Sequence, residues 1–144
     1  MHEGVLAQFM VEGVADGRSH GLVCAYDPRM EQGCASIALV RTAADPGHGE
    51  VLEGLGLLID HLFATWPLRK LYAEVPGFNA DGLVAADDPV VRVEGRLVDH
   101  CYVQGRWWDQ IILAIWRECW LVERRRWALL GPFPGADDDR GRTG

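Results

Sequence analysis

The four cysteines of this 144-residue chain include no C-x-x-C pair, and no cluster of histidines accompanies them. That spacing excludes the common structural zinc sites, which need closely spaced Cys and His ligands. Cys24, Cys101 and Cys119 lie in apolar or aromatic segments, where free cysteine behaves as a small hydrophobe. A reduced, cytoplasmic setting fits such usage. Long apolar runs are lacking as well. The longest, Ile111 to Trp116, is strand-sized and far short of the ~20 residues of a membrane span. The opening Met1-His2-Glu3-Gly4 does not read as a signal peptide. Positive charge is scarce: Lys and Arg number 14 against 21 Asp and Glu, a net charge of -7. This balance argues against nucleic acid as a partner. The short Arg124-Arg125-Arg126 cluster reads as a solvated helix end.

Hydrophobic residues make up 49% of the chain, enough for one well-filled core. Residues 1–130 read as one domain, and 131–144 (GPFPGADDDRGRTG) as a disordered tail. Three apolar runs come first: Val5 to Val11, His20 to Tyr26 and Cys34 to Thr42. The short Gly- and Asp-containing loops between them predict antiparallel strands. Glu50 to Trp66 is the clearest helix. Val51, Leu52, Leu55, Leu58, Ile59, Leu62 and Phe63 recur at three- and four-residue steps, and Pro67 ends the pattern. Gly54 and Gly56 each cost such a helix about 1 kcal/mol relative to Ala. Their presence predicts close approach to a neighbouring sheet.

Arg69 to Val75 is a fourth strand, able to lie parallel to the third through a right-handed crossover. Ala80 to Ala86 has room for a short helix. Val90 to Glu94 reads as a fifth strand. Arg96 to Val103 and Arg106 to Trp116 read as a hairpin around Gln104-Gly105, and Glu118 to Leu130 as a last helix. The sum is an α/β (α+β) chain: a mixed, mostly antiparallel sheet with a central helix after the third strand.

Two stretches carry a family likeness. Leu57 to Asn79 reads LLIDHLFATWPLRKLYAEVPGFN, and Val93 to Trp120 reads VEGRLVDHCYVQGRWWDQIILAIWRECW. The chain resembles the GCN5-related N-acetyltransferases (GNAT), in the branch similar to ribosomal-protein N-acetyltransferases. In that family a bulge splays two parallel strands, and the pantetheine arm of acetyl-CoA lies in the gap. The pyrophosphate sits on free amides at the start of the following helix, where the dipole favours an anion. The resemblance implies acetyl-CoA as cosubstrate, held by Ile37, Ala38, Leu39 and Val40 of the third strand. It implies a phosphate loop of Gly47, His48, Gly49, Glu50 and Val51, and Asn79 facing the CoA arm. Glu74, at the end of the fourth strand, becomes the candidate base.

The chain departs from the family pattern in named places. The loop Pro46-Gly47-His48-Gly49-Glu50-Val51 keeps the central glycine as Gly49. Glu50 adds a negative charge that repels phosphate, and Val51 places a branched side chain where backbone should meet it. Gly82 to Pro89 replaces the stretch in which the family carries a tyrosine acid. The family's first strand and first two helices have no counterpart, so the resemblance implies a domain shortened at its N-terminus.

The implied activity is acetyl transfer to a primary amine, on a small molecule or a peptide N-terminus. The alternative is a catalytically degenerate subunit that serves as a binding or dimerisation module. Glu74 as partner of Arg69 or Lys70 stands beside Glu74 as base. His100 reads as a surface residue of the hairpin, and Asp109 as a structural hydrogen-bond acceptor. Trp107, Trp108, Trp116, Trp120 and Trp127 read as core and homodimer packing.

Overall fold

The computed structural model describes residues 4–42, 49–83 and 87–130. The expected tail at 131–144, and Gly47 and His48 of the expected phosphate loop, lie outside them. The described elements run β1 (Val5–Glu12), β2 (Ser19–Arg29), β3 (Cys34–Arg41), α1 (Gly49–Thr65), β4 (Lys70–Pro76), α2 (Gly77–Leu83), β5 (Val91–Val103), β6 (Arg106–Trp116) and α3 (Arg117–Leu130). The strands form one six-stranded sheet in the order β1-β2-β3-β4-β6-β5. Every neighbouring pair is antiparallel except β3 with β4.

Strand alternation divides the sheet into two faces. Val23, Ala25, Ala35, Ile37 and Leu71 point to the face that α1 covers, and they are buried. From the helix come Val51, Leu58, Ile59, Leu62 and Phe63, at helical spacing. Burying each of the larger side chains contributes roughly 1.5–3 kcal/mol. Leu52, expected on this stripe, is exposed instead. It sits one residue, or about 100°, round the helix from buried Val51.

Gly54 explains itself. A Cβ there would come within 2.5 Å of the Val11 Cγ2 atom, so the helix lies against β1 too closely for a side chain. At the far end of the core, the indole of Trp120 on α3 donates to Asp60 of α1 at 2.7 Å. Arg124 adds its Nε 3.0 Å from the same carboxylate. Trp120 is thereby packed within this chain. The side chain of Trp127 lies outside the described residues.

Two expectations need correction. Val90 to Glu94 and Arg96 to Val103 are one strand, so the sheet has six strands in place of seven. Both halves pair with β6, and Glu94 is the extra residue where the register passes from Val93↔Leu113 to Gly95↔Ile112. Gly95 accommodates this bulge where the sequence suggested a break. The short helix after β4 begins at Gly77, directly after the strand, three residues before its predicted start. Asn79 therefore lies inside α2.

Replacing Gly54 with Ala sets about 1 kcal/mol of helix propensity against an overpacking cost of about 1–3 kcal/mol. Overpacking wins because branched Val11 has no flexible end to move aside. Urea unfolding of Gly54→Ala should show a net loss of roughly 1 kcal/mol. In a Val11→Ala background the same change should become stabilising by about 1 kcal/mol.

Candidate functional site

The parallel pairing of β3 with β4 lasts three residues: Cys34↔Lys70, Ala35↔Leu71 and Ser36↔Tyr72. Beyond Ser36 the strands part. β3 continues to Arg41 with β2 as its partner, and β4 continues to Pro76 with β6 as its partner. The β4-facing backbone of Ile37, Ala38, Leu39 and Val40 therefore has no strand partner among the described residues. β3 itself carries no bulge. The bulge lies on β2, where the register slips between Tyr26 and Arg29 and Asp27 takes φ 48°.

Ile37 points into the core at 3% exposure, whereas Val40 is 61% exposed on the opposite face. Ala38 and Leu39 are half-buried. The helix start lies just past this strand. Gly49 is the first residue of α1 and Glu50 is exposed in its first turn. Val51 is fully buried, with its Cγ2 atom 3.2 Å from where Gly21 would carry a Cβ. Its branched side chain thus points into the core, and the obstruction of the backbone expected from the sequence is not there. Asn79 is exposed on α2. That short helix is held to β6 by Phe78 and Trp108, whose rings lie 4.9 Å apart.

Tyr26, Ser36, Tyr72 and Ala114 form a row across four strands at the vertex of the split, shown by the pairs Tyr26↔Ser36, Ser36↔Tyr72 and Tyr72↔Ala114. Tyr26, Ser36 and Tyr72 share the face away from α1. Glu74 is the next residue of β4 on that face, one step into the gap. Its Oε2 accepts from the Gln110 side chain at 2.9 Å. Neither Arg69 nor Lys70 pairs with it among the described residues. Lys70 is nearly buried and bonds Glu94 at 2.7 Å. Its Nζ lies over the rings of Tyr72 and Trp116, at 4.6 Å and 4.8 Å from their centroids. The Glu94 carboxylate, followed by the Tyr72 hydroxyl, holds the Lys70 ammonium above its ordinary pKa. Lys70 therefore stays charged and matched by Glu94 at the vertex.

Sequence reasoning sought a tyrosine in the segment after Asn79, whereas the structure brings Tyr26 to the vertex. Partial burial pushes its hydroxyl above the ordinary phenol value, and the charge of Glu74 across the gap pushes it further. Its signal in the sequence was a strand-end tyrosine beside Asp27-Pro28, but the bulge there hides the register. His100 stays exposed in the hairpin. Asp109 accepts from the Asp99 amide at 3.0 Å and from Arg96 at 2.8 Å, a structural acceptor as expected. The Asp99 amide, then Arg96, holds the Asp109 carboxyl below its ordinary value.

No protein-family model matches the sequence, and no curated protein does. Solved structures do match. The spermidine N-acetyltransferase of Vibrio cholerae in complex with CoA and spermine superposes with a TM-score of 0.69 at 22% identity, over 79% of this chain and 67% of that one. The spermidine/spermine N-acetyltransferase of Vibrio cholerae in complex with manganese ions gives 0.70 at 22% identity, over 81% and 68%. A chimera of the Vibrio cholerae spermidine N-acetyltransferase gives 0.69 at 22% identity, over 80% and 70%. The fold is that of the GNAT acetyltransferases. In GNAT terms, β3 and β4 are the splayed pair and α1 is the helix that follows the first of them.

The raised Tyr26 hydroxyl fixes a pH window. Stability that it contributes is full below the ordinary value of 10.0 and is lost as pH climbs through the higher folded value. Absorbance titration at 295 nm should resolve one phenol that ionises late, missing in Tyr26→Phe. Glu74→Gln should bring it back part of the way, because burial is the larger cause. A late phenol that survives in Tyr26→Phe would refute this placement.

Proposed function

We propose that this chain is an acyl-CoA-dependent N-acetyltransferase acting on a primary amine of a small molecule or a peptide N-terminus, with acetyl-CoA as cosubstrate. The supporting observation is the split after Ser36 and Tyr72, with Glu74 at its head, in a fold shared with an enzyme solved with CoA and spermine. The unpaired edge of Ile37–Val40 offers backbone groups along the gap, as an extended polar arm requires. The amides at Gly49, Glu50 and Val51 begin a 17-residue helix, whose dipole favours an anion there. Gly47 and His48 would complete that loop, and Asn79 would approach from the other side of the gap. The closing hairpin keeps the ribosomal-protein branch as the sequence-level reading, while the structural neighbours act on polyamines.

Acetyl-CoA supplies a thioester whose carbon accepts the nitrogen as the C–S bond breaks. An ammonium must give up two protons over the reaction. In this reading Glu74 takes the first and passes it to solvent. Tyr26 in turn donates one to the departing sulfur and recovers the second. The pairing of β3 with β4 fixes these groups relative to one another, and such positioning is worth several kcal/mol. The exposed edge strands β1 and β5 are the surfaces on which a homodimer would form. No described helix is long and apolar enough to cross a membrane.

A second reading, a non-catalytic binding subunit, draws on Glu50, whose exposed carboxylate in the first turn opposes an anion. Calorimetry separates the two. Acetyl-CoA should bind with micromolar affinity and lose it in Gly49→Glu and Asn79→Ala. No heat at millimolar ligand would leave the binding subunit. Glu74→Gln should lower kcat by roughly 100-fold or more; unchanged turnover would remove Glu74 as base.

A further inference from the structure

A cavity of about 410 Å³ opens on the face of the sheet away from α1, at the vertex of the split. That volume lies within the range of small-molecule sites. Its charged lining is mixed: Asp27, Arg29, Arg69, Glu74 and Glu94. Most of these charges are already matched. Arg29 pairs with Asp27 at 3.3 Å, and Glu94 pairs with Lys70 at 2.7 Å. Two are not matched among the described residues. Glu74 spends one oxygen on the neutral Gln110 amide. Arg69 spends its Nε on the Gln32 carbonyl at 2.6 Å. The cavity thus holds one carboxylate and one guanidinium, each without a counter-ion.

The two charges come from positions five residues apart on one chain segment. At ~3.3 Å per residue their Cα atoms lie roughly 16 Å apart. The two side chains span part of this distance, and no ion pair joins Arg69 to Glu74 among the described residues. A ligand with two ammonium groups would set one of them against Arg69. A ligand with one ammonium alone would leave the guanidinium unanswered.

From this arrangement we infer that the acceptor is a spaced zwitterion: a primary ammonium directed to Glu74 and a carboxylate directed to Arg69, several bonds apart. An ω-amino acid and a short peptide with both ends free share that chemistry. The inference rests on the proposed acetyltransferase function for its biological use, but the recognition does not need acetyl transfer to be observed. Arg69 is a specificity residue. It brings a planar, two-pronged donor to a carboxylate, a geometry that guanidinium supports better than ammonium. Glu74 serves both to bind the ammonium and to receive its proton.

The test is direct titration calorimetry of the full chain, without acetyl-CoA, against ε-aminocaproate, hexamethylenediamine, hexylamine and triglycine. The first three share a six-carbon chain and differ at one end. ε-Aminocaproate should bind at least tenfold tighter than hexylamine, and the diamine no tighter than hexylamine. Triglycine binding on a par with ε-aminocaproate would assign a peptide; its exclusion would assign an ω-amino acid. Arg69→Gln should erase the advantage of the carboxylate, Arg69→Lys should keep part of it, and Arg69→Glu should turn the preference to the diamine. Thermal melting of each variant checks that loss of the Gln32 contact has not unfolded the turn. A wild-type chain that prefers the diamine, binds none of the four, or keeps its zwitterion preference in folded Arg69→Gln overturns the inference. Acetyl-CoA titration on the same samples reports separately on the acetyltransferase reading.

Discussion

Three backbone pairs, Cys34 to Ser36 with Lys70 to Tyr72, hold the two halves of this sheet together. A parallel pair cannot be joined by a tight turn, so a crossover must return the chain to the same edge. The 17 residues of α1 supply it, spanning roughly 25 Å at 1.5 Å per residue. The strands separate afterwards at little cost, because each keeps its outer partner. β3 stays paired to β2 through Arg41, and β4 stays paired to β6 through Pro76. What is given up is the inner ladder alone. Unpaired backbone groups cost about 1–3 kcal/mol each when shut away from partners. A gap lined by them persists where water or a ligand can answer them.

The vertex is stiffened by charge as much as by backbone. Lys70 is nearly buried, enclosed by the Glu94 carboxylate and by the rings of Tyr72 and Trp116. An ammonium so placed must be paired, since a buried charge without a partner is strongly destabilising. Glu94 is the extra residue of the β5 bulge, and it is spent on this pairing. That commitment leaves Glu74 out of the ion pair. One bulge on β5 therefore settles which of the two acidic residues pairs with Lys70. The other bulge, on β2, settles the position of Tyr26 opposite Ser36. The β2 irregularity lies on the strand beside β3, and the β5 irregularity lies one strand beyond β6, the outer partner of β4.

Some of this was legible in the residues. The apolar stripe of α1 was plain, and Gly54 signalled a close approach that β1 supplies through Val11. The hairpin around Gln104-Gly105 was equally readable, since both residues take the left-handed conformation that such turns require. Other features were not. Gly95 looked like a boundary because glycine marks turns and bulges alike, and only the shared partner β6 tells them apart. Val51 looked obstructive because a sequence gives a residue's type and not the direction of its side chain. Tyr26 was passed over because its neighbours in space are Ser36 and Glu74, both remote along the chain.

The residues alone determined the first three strands, the helix that fills the crossover, and the turn at Gln104-Gly105. These follow from dihedral preference and burial period, which operate within about a dozen residues. The tertiary structure decided where β3 and β4 part, and which of Glu74, Glu94, Arg69 and Lys70 find partners. Such outcomes depend on register between distant strands, where a slip of one residue turns every side chain to the other face.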